Sequence, residues 1–409
     1  MKGIGIFEVM MHHSLASSAR HYGGGRETAA WWVMMVANRI FHFAVPVFLF
    51  VSALLLARSL AKHPRPDWKR FYLRRVQRSV WPFLIWTGLW ILARLFILRE
   101  AKDVMIVTAA WPWGGSLTGP ALLVDPSVWT ANLVWGKGAY HMYFLAVLIQ
   151  MALVFPLIYF VMRRLSSGHG VRSPKLSLSA MPVRGEGAGG WGSPEDPAGK
   201  NLPAATVFGL VLLGSIALQL LVFWGQGNWW RLGSPWSLVI SYLPPVLVGT
   251  WLGLNWSSWP SVWRAWRWPI GLLTAGAFAY YLWLSVLELR REPIPSFDHR
   301  SALILYAFGL SFLLLALAGW LSRSWVGRAF AWMGNISLAL FLIHPLFLYL
   351  LGMPSAVRTI KGLPLSPVVS FSAMFVLSVA FTLLVARLRL DGLLFGRQFY
   401  PRRPAGKHE

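Results

Sequence analysis

FAVPVFLFVSALLL, residues 43–56, contains no ionisable side chain and a single hydroxyl, and it sits in an apolar run over 31–57. A helix of about 17–25 such residues crosses a bilayer core, so the run reads as a membrane span. Nine further runs, at 3–19, 71–97, 140–162, 204–225, 236–254, 268–289, 301–321, 331–351 and 365–387, read the same way. With 56% hydrophobic and 13% charged residues and a mean hydropathy of +0.54, the chain is expected to be an all-α polytopic membrane protein. About ten transmembrane helices are expected, with the N- and C-termini cytoplasmic.

The formal charge of +24 would suggest nucleic acid in a soluble protein, but the basic residues gather beside apolar runs, where they set topology. Basic loops holding Arg58 to Arg70, Arg163 to Lys200, Arg264 with Arg267, and Arg323 with Arg328, and the tail from Arg389 to Lys407, fall on one side. That side is expected to be the cytoplasm, with anionic membrane lipids rather than nucleic acid as partners and the plasma membrane as the location. The segment 290–300, with Arg290, Arg291 and Arg300, runs against this assignment. The first run holds Glu8, His12 and His13 and has neither a basic n-region nor an A-x-A site, so it reads as a span and not a secretory leader.

No cysteine is present, which removes disulfides, thiolate metal sites and a cysteine nucleophile; no metal is expected. Residues 166–203 are rich in Ser, Gly and Pro and read as a disordered cytoplasmic linker interrupting a transmembrane domain over 1–390. Residues 391–409 read as a basic cytoplasmic tail. The outward segment 99–139 is long enough to form a lid or re-entrant loop; its tryptophans fit an interfacial belt or a sugar platform. P-loop, HExxH and GxSxG motifs are absent.

Ionisable groups inside a bilayer are costly unless they line a polar cavity, and the first span carries several. Lys2 and His13 are eleven residues apart, which on a helix puts both on one face about 16 Å apart along the axis. Glu8 and His12, four apart, share a neighbouring face, so Glu8 is a candidate to hold an imidazole in one tautomer. The alternative is that these groups merely bond to neighbouring helices. In FYLRRVQRSVWPF, residues 71–83, Arg74 and Arg78 are four apart and Arg75 and Arg78 three apart. Guanidinium groups so stacked suit a phosphate, or equally an anchor at the headgroups.

These stretches together resemble the membrane-bound acyltransferase family 3, and most closely its branch associated with exopolysaccharide and intercellular-adhesin O-acylation. KGIGIFEVMMHH is similar to the family's opening Arg-x10-His stretch, with Lys2 in place of the arginine and His13 at the histidine. Residues 43–56 resemble its PxFxxxSGxxL helix, with Pro46 and Ser52 matching and Ala53 in place of glycine. Arg75 and Arg78 fall on its RxxR motif, YHMYFLAVLIQ (residues 140–150) on its YHLYF segment, and GNISLALFLIHP (residues 334–345) on its closing Ser…His-Pro helix.

The resemblance implies transfer of an acyl group, acetyl or succinyl, from cytoplasmic acyl-CoA to a hydroxyl of a cell-surface glycan. Lys2, Arg74, Arg75 and Arg78 are then the expected donor-binding cations, and His13 is the candidate general base. His12 competes with it because the match can slip by one residue, and Glu8 completes the catalytic candidates. Arg39 and His42 are candidate oxyanion donors, and His141 and His344 candidate groups on the acceptor side. A glycan or lipid-linked-sugar exporter without acyl transfer is the alternative, since transporters also use broken helices such as the one that the Pro244-Pro245 pair suggests.

Overall fold

The computed structural model describes residues 1–22, 25–26, 28–63, 65–97, 126–167, 202–228, 235–292, 296–352 and 366–399. Every regular element among them is helical. In chain order these are α1 (Lys2–His21), α2 (Ala29–Ile40), α3 (Ala44–Leu60), α4 (Trp68–Arg75), α5 (Trp81–Phe96), α6 (Pro126–Trp135), α7 (Tyr143–Ser167), α8 (Ala204–Asn228) and α9 (Leu243–Leu254). They continue as α10 (Trp259–Leu289), α11 (Ser296–Leu321), α12 (Trp325–Asn335), α13 (Ser337–Leu350), α14 (Ser366–Arg387) and α15 (Asp391–Phe395).

Among the described residues, six stretches are long and apolar enough to cross a membrane: Ala29–Leu60, Tyr143–Ser166, Ala204–Gln226, Trp256–Leu289, Phe297–Leu321 and Ser366–Arg387. The pair α12 and α13 passes the same test together but is bent by 79°, where the sequence suggests one span at 331–351. The other three expected spans are helical but depart for identifiable reasons. α1 is diluted by Lys2, Glu8, His12, His13 and Arg20. The run 71–97 is divided by a π-helical turn at Val76–Val80. The run 236–254 contains a 3-10 turn at Val239–Tyr242 before a short α9, whose first turn carries the Pro244-Pro245 pair.

Of the expected linker 166–203 and outward segment 99–139, residues 168–201 and 99–125 lie outside the described residues; 126–135 form α6. The start of the supposed tail is no free extension. Residues 391–399 pack on the bundle, with Phe395 fully buried, while 400–409 lie outside the described residues.

Backbone breaks inside a bilayer must find partners within the protein, and polar side chains supply them here. At the break between α2 and α3, Glu8 Oε1 accepts the Phe43 N–H (3.1 Å) and Tyr306 Oη donates to Ile40 O (3.0 Å). Ahead of α9, Gln150 donates to Ser237 O (2.8 Å) and accepts from Val239 N–H (3.0 Å), and Gln219 Oε1 accepts from Leu243 N–H (2.8 Å).

Helix contacts rest on small residues, as expected where lipid offers no hydrophobic drive to associate. α9 presents Gly249 and Gly253 to Ala53 and Ala57 of α3; a Cβ on Gly253 would lie 2.3 Å from Leu54 O. α1 packs against α2, α3, α12, α13 and α14. Its start lies so close to α12 that a Cβ on Gly3 would come 1.8 Å from Phe330 O, and one on Gly334 3.5 Å from the Lys2 side chain. Packing on α12 thereby fixes where Lys2 emerges.

Candidate functional site

α1 links two polar regions. Lys2, at its first turn, is exposed and within electrostatic reach of Arg75, Arg78 and Arg397. Arg75 in turn interacts with Arg74 and Arg78. The π-helical turn shapes this group. Trp81 N–H bonds to Val76 O, one residue further back than in an α-helix, and Pro82 follows at the start of α5. Proline cannot donate to the carbonyl four residues earlier and its ring crowds that oxygen; widening the turn relieves the conflict. Arg74 and Arg75 therefore stand before the widened turn and Arg78 within it. The guanidinium of Arg75 lies over the Phe71 ring at 5.8 Å, and its Nε is buried without a hydrogen-bond partner among the described residues.

About 16 Å along the continuous α1, His13 sits within a group of rings. Its imidazole is 4.6 Å from the Tyr140 ring, 5.0 Å from His12 and 5.5 Å from His344, the last in stacked geometry. His344 is 5.6 Å from His141. These side chains come from α1, α13 and the turn before α7. His344 Nδ1 lies 2.9 Å from Leu340 O; a carbonyl only accepts, so Nδ1 carries the proton and Nε2 keeps its lone pair. That Nε2 is buried with no partner among the described residues, as are both ring nitrogens of His141.

His12 and His13 are held differently. Asn38 Nδ2 donates to His12 O (2.7 Å), and His12 Nδ1 lies 2.9 Å from Asn38 O and 3.0 Å from Asn38 Nδ2. The His12 ring also stacks on His42 at 4.8 Å. By contrast, the His13 ring is only partly covered and has no hydrogen-bond partner among the described residues. The His13 ring nitrogens are thus left without a protein hydrogen bond among the described residues.

One expected contact is not formed. Glu8 does not orient His12: its carboxylate caps the break before α3, and Asn38 takes the orienting place. Arg39 Nη2 is paired with Glu288 at 2.8 Å, an acid that also lies 3.6 Å from His299 Nε2, while Arg39 Nε is buried without a hydrogen-bond partner among the described residues. His42 Nδ1 lies 3.2 Å from the Tyr281 hydroxyl. Sequence reasoning did not nominate Asn38, Tyr140, Tyr281 or Arg397. A lone amide inside the apolar run 31–57 was a signal for Asn38; nothing local marks Arg397.

No group of three or more His, Cys, Asp or Glu arranged to hold a metal occurs among the described residues. The histidine rings are spread along the site and do not converge on one point.

The sequence model of a protein family described as an acyltransferase domain matches residues 1–171 and 200–387. The match takes in α1, the arginines of the π-helical turn and the histidine group, and passes over most of the Ser/Gly/Pro-rich stretch at 166–203. No curated protein and no solved structure matches the chain.

Proposed function

Since the chain belongs to this acyltransferase family, we propose that it is an integral-membrane O-acyltransferase that moves an acetyl or succinyl group from acyl-CoA to a hydroxyl of a cell-surface polysaccharide. One observation carries the reading: a single unbroken helix ties Lys2, among the clustered arginines, to His13, whose ring nitrogens make no protein hydrogen bond among the described residues. The distance between them, about 16 Å, is of the order of CoA's extended thiol arm. Phosphates at the basic end would leave the thioester directed toward His13.

In this scheme His13 removes the proton of the acceptor hydroxyl as its oxygen attacks the thioester carbonyl. The C–S bond breaks, and the proton passes to the departing CoA thiolate. General base catalysis of this kind contributes about 10²–10⁴ in rate. His344 and His141 line the acceptor side, and His344, protonated on Nδ1, offers Nε2 as an acceptor for a sugar hydroxyl. The basic end faces the cytoplasm of a plasma-membrane protein, where its outer arginines also meet anionic lipid. An acceptor of the exopolysaccharide or intercellular-adhesin type follows from the sequence resemblance.

The test is mass spectrometry of surface polysaccharide from cells carrying the wild-type chain, His13→Ala, or neither. Acyl substitution that depends on the chain and vanishes with His13→Ala, at unchanged membrane level, supports the proposal. Unchanged acylation without the chain overturns it. Loss of polysaccharide export before any loss of acylation favours an exporter, the reading to which the broken helices also lend themselves.

A further inference from the structure

We propose that the segment after α14 is part of the donor site, and that it delivers Arg397 as a further phosphate ligand beside Lys2, Arg75 and Arg78. The inference rests on the acyl-CoA reading above and deepens it.

The segment is built to hold one position. Trp81 Nε1 donates to Leu393 O and Trp86 Nε1 to Leu394 O, each at 2.8 Å, and the Trp86 ring stacks on Phe395 at 5.9 Å. Asp391 is buried, and its two carboxylate oxygens accept Gly392 N–H (3.0 Å) and Phe399 N–H (2.6 Å), closing the loop that carries Arg397. Gly396 ends α15 with φ +63°, and a Cβ there would lie 1.9 Å from Gln77 O, inside the π-helical turn. The loop is therefore seated directly on the turn that bears Arg78.

Its placement leaves positive charge uncompensated. Lys2 feels Arg75, Arg397 and Arg78 together. The nearest acid in the segment, Asp391, is spent on backbone N–H groups. Cations so gathered repel one another unless an anion joins them. A lipid headgroup and the phosphates of CoA share the required chemistry. The inference takes the CoA phosphates, because Lys2 in this group starts the helix that runs on to His13. Arg397 itself is exposed and free to close on a ligand.

The experiment measures CoA binding to the full chain in phosphatidylcholine nanodiscs, with and without added phosphatidylglycerol, for wild type, Arg397→Ala, Arg397→Lys and Arg389→Ala. Arg397→Ala is expected to weaken CoA binding by about tenfold or more and to flatten its salt dependence. Arg397→Lys should retain part of the affinity, and Arg389→Ala and the melting temperatures should stay at wild-type values. Wild-type CoA affinity in Arg397→Ala overturns the inference alone, whether or not phosphatidylglycerol retention falls. An equal loss in the Ala and Lys variants accompanied by a lower melting temperature shows a structural role and also overturns it. Absence of CoA binding in the wild type overturns the donor reading and this inference with it.

Discussion

Glu8 Oε1 accepts the Phe43 backbone N–H at 3.1 Å, so the only carboxylate of the first helix caps the start of the third. An acceptor oxygen at a helix N-terminus satisfies a backbone donor that lipid could not. Glu8→Ala should leave that N–H unpaired and cost about 1–3 kcal/mol of stability. Glu8→Gln keeps an acceptor and should retain most of it. Thermal melting of the detergent-purified variants checks this; loss of transfer in Glu8→Gln at an unchanged melting temperature would place Glu8 in the chemistry instead.

The adjacent histidines should separate cleanly. His13→Gln is expected to lower the transfer rate by about 10²–10⁴ with little effect on melting, because no protein hydrogen bond is lost. His12→Ala deprives the buried Asn38 of a ring partner and should act mainly on stability. Rates and melting temperatures measured on both variants decide the matter, and the reverse pattern would exchange their roles.

Gly3 is predicted to tolerate no side chain. An alanine Cβ would meet the Phe330 carbonyl oxygen at 1.8 Å, backbone that cannot swing aside, so α1 must move off α12. Overpacking costs about 1–3 kcal/mol, and the shift should carry Lys2 with it. Gly3→Ala should therefore raise KM for acyl-CoA as well as lower the melting temperature. Neither change appearing would mean that α1 is not fixed by this contact.

Gln150→Leu removes both partners of the irregular backbone ahead of α9, Ser237 O and Val239 N–H. Two part-buried backbone groups then lose these bonds, at up to about 1–3 kcal/mol each. Gln150→Glu keeps the acceptor for Val239 but loses the donor for Ser237, and should fall between Leu and wild type in a thermal melt.

Hydropathy made the long apolar helices legible because their composition depends on lipid alone. It could not show where a run breaks, since the breaks at Phe41–Phe43 and ahead of α9 depend on distant partners such as Glu8, Tyr306 and Gln219. Spacing correctly placed Lys2 and His13 on one unbroken helix. For Arg75 and Arg78, which do lie within electrostatic reach of each other, counting at a fixed angle per residue assumes an α-helix and missed the π-helical turn between them; Pro82 was its local trace. The pairing of Glu8 with His12 failed for a related reason. Two side chains four apart on a helix can meet, but a bare N–H at a helix start competes more strongly for a carboxylate. Whether the histidines and arginines act as the resemblance implies is for the substitutions above to decide.

The π-helical turn stands beside Lys2 on one side and carries the Gly396–Arg397 loop on the other, groups that lie far apart in sequence. Translation delivers Lys2 long before residue 397, so the basic cluster assembles only after α14 and the loop beyond it have been made. Helices emerging earlier would enter the bilayer with that cluster unfinished.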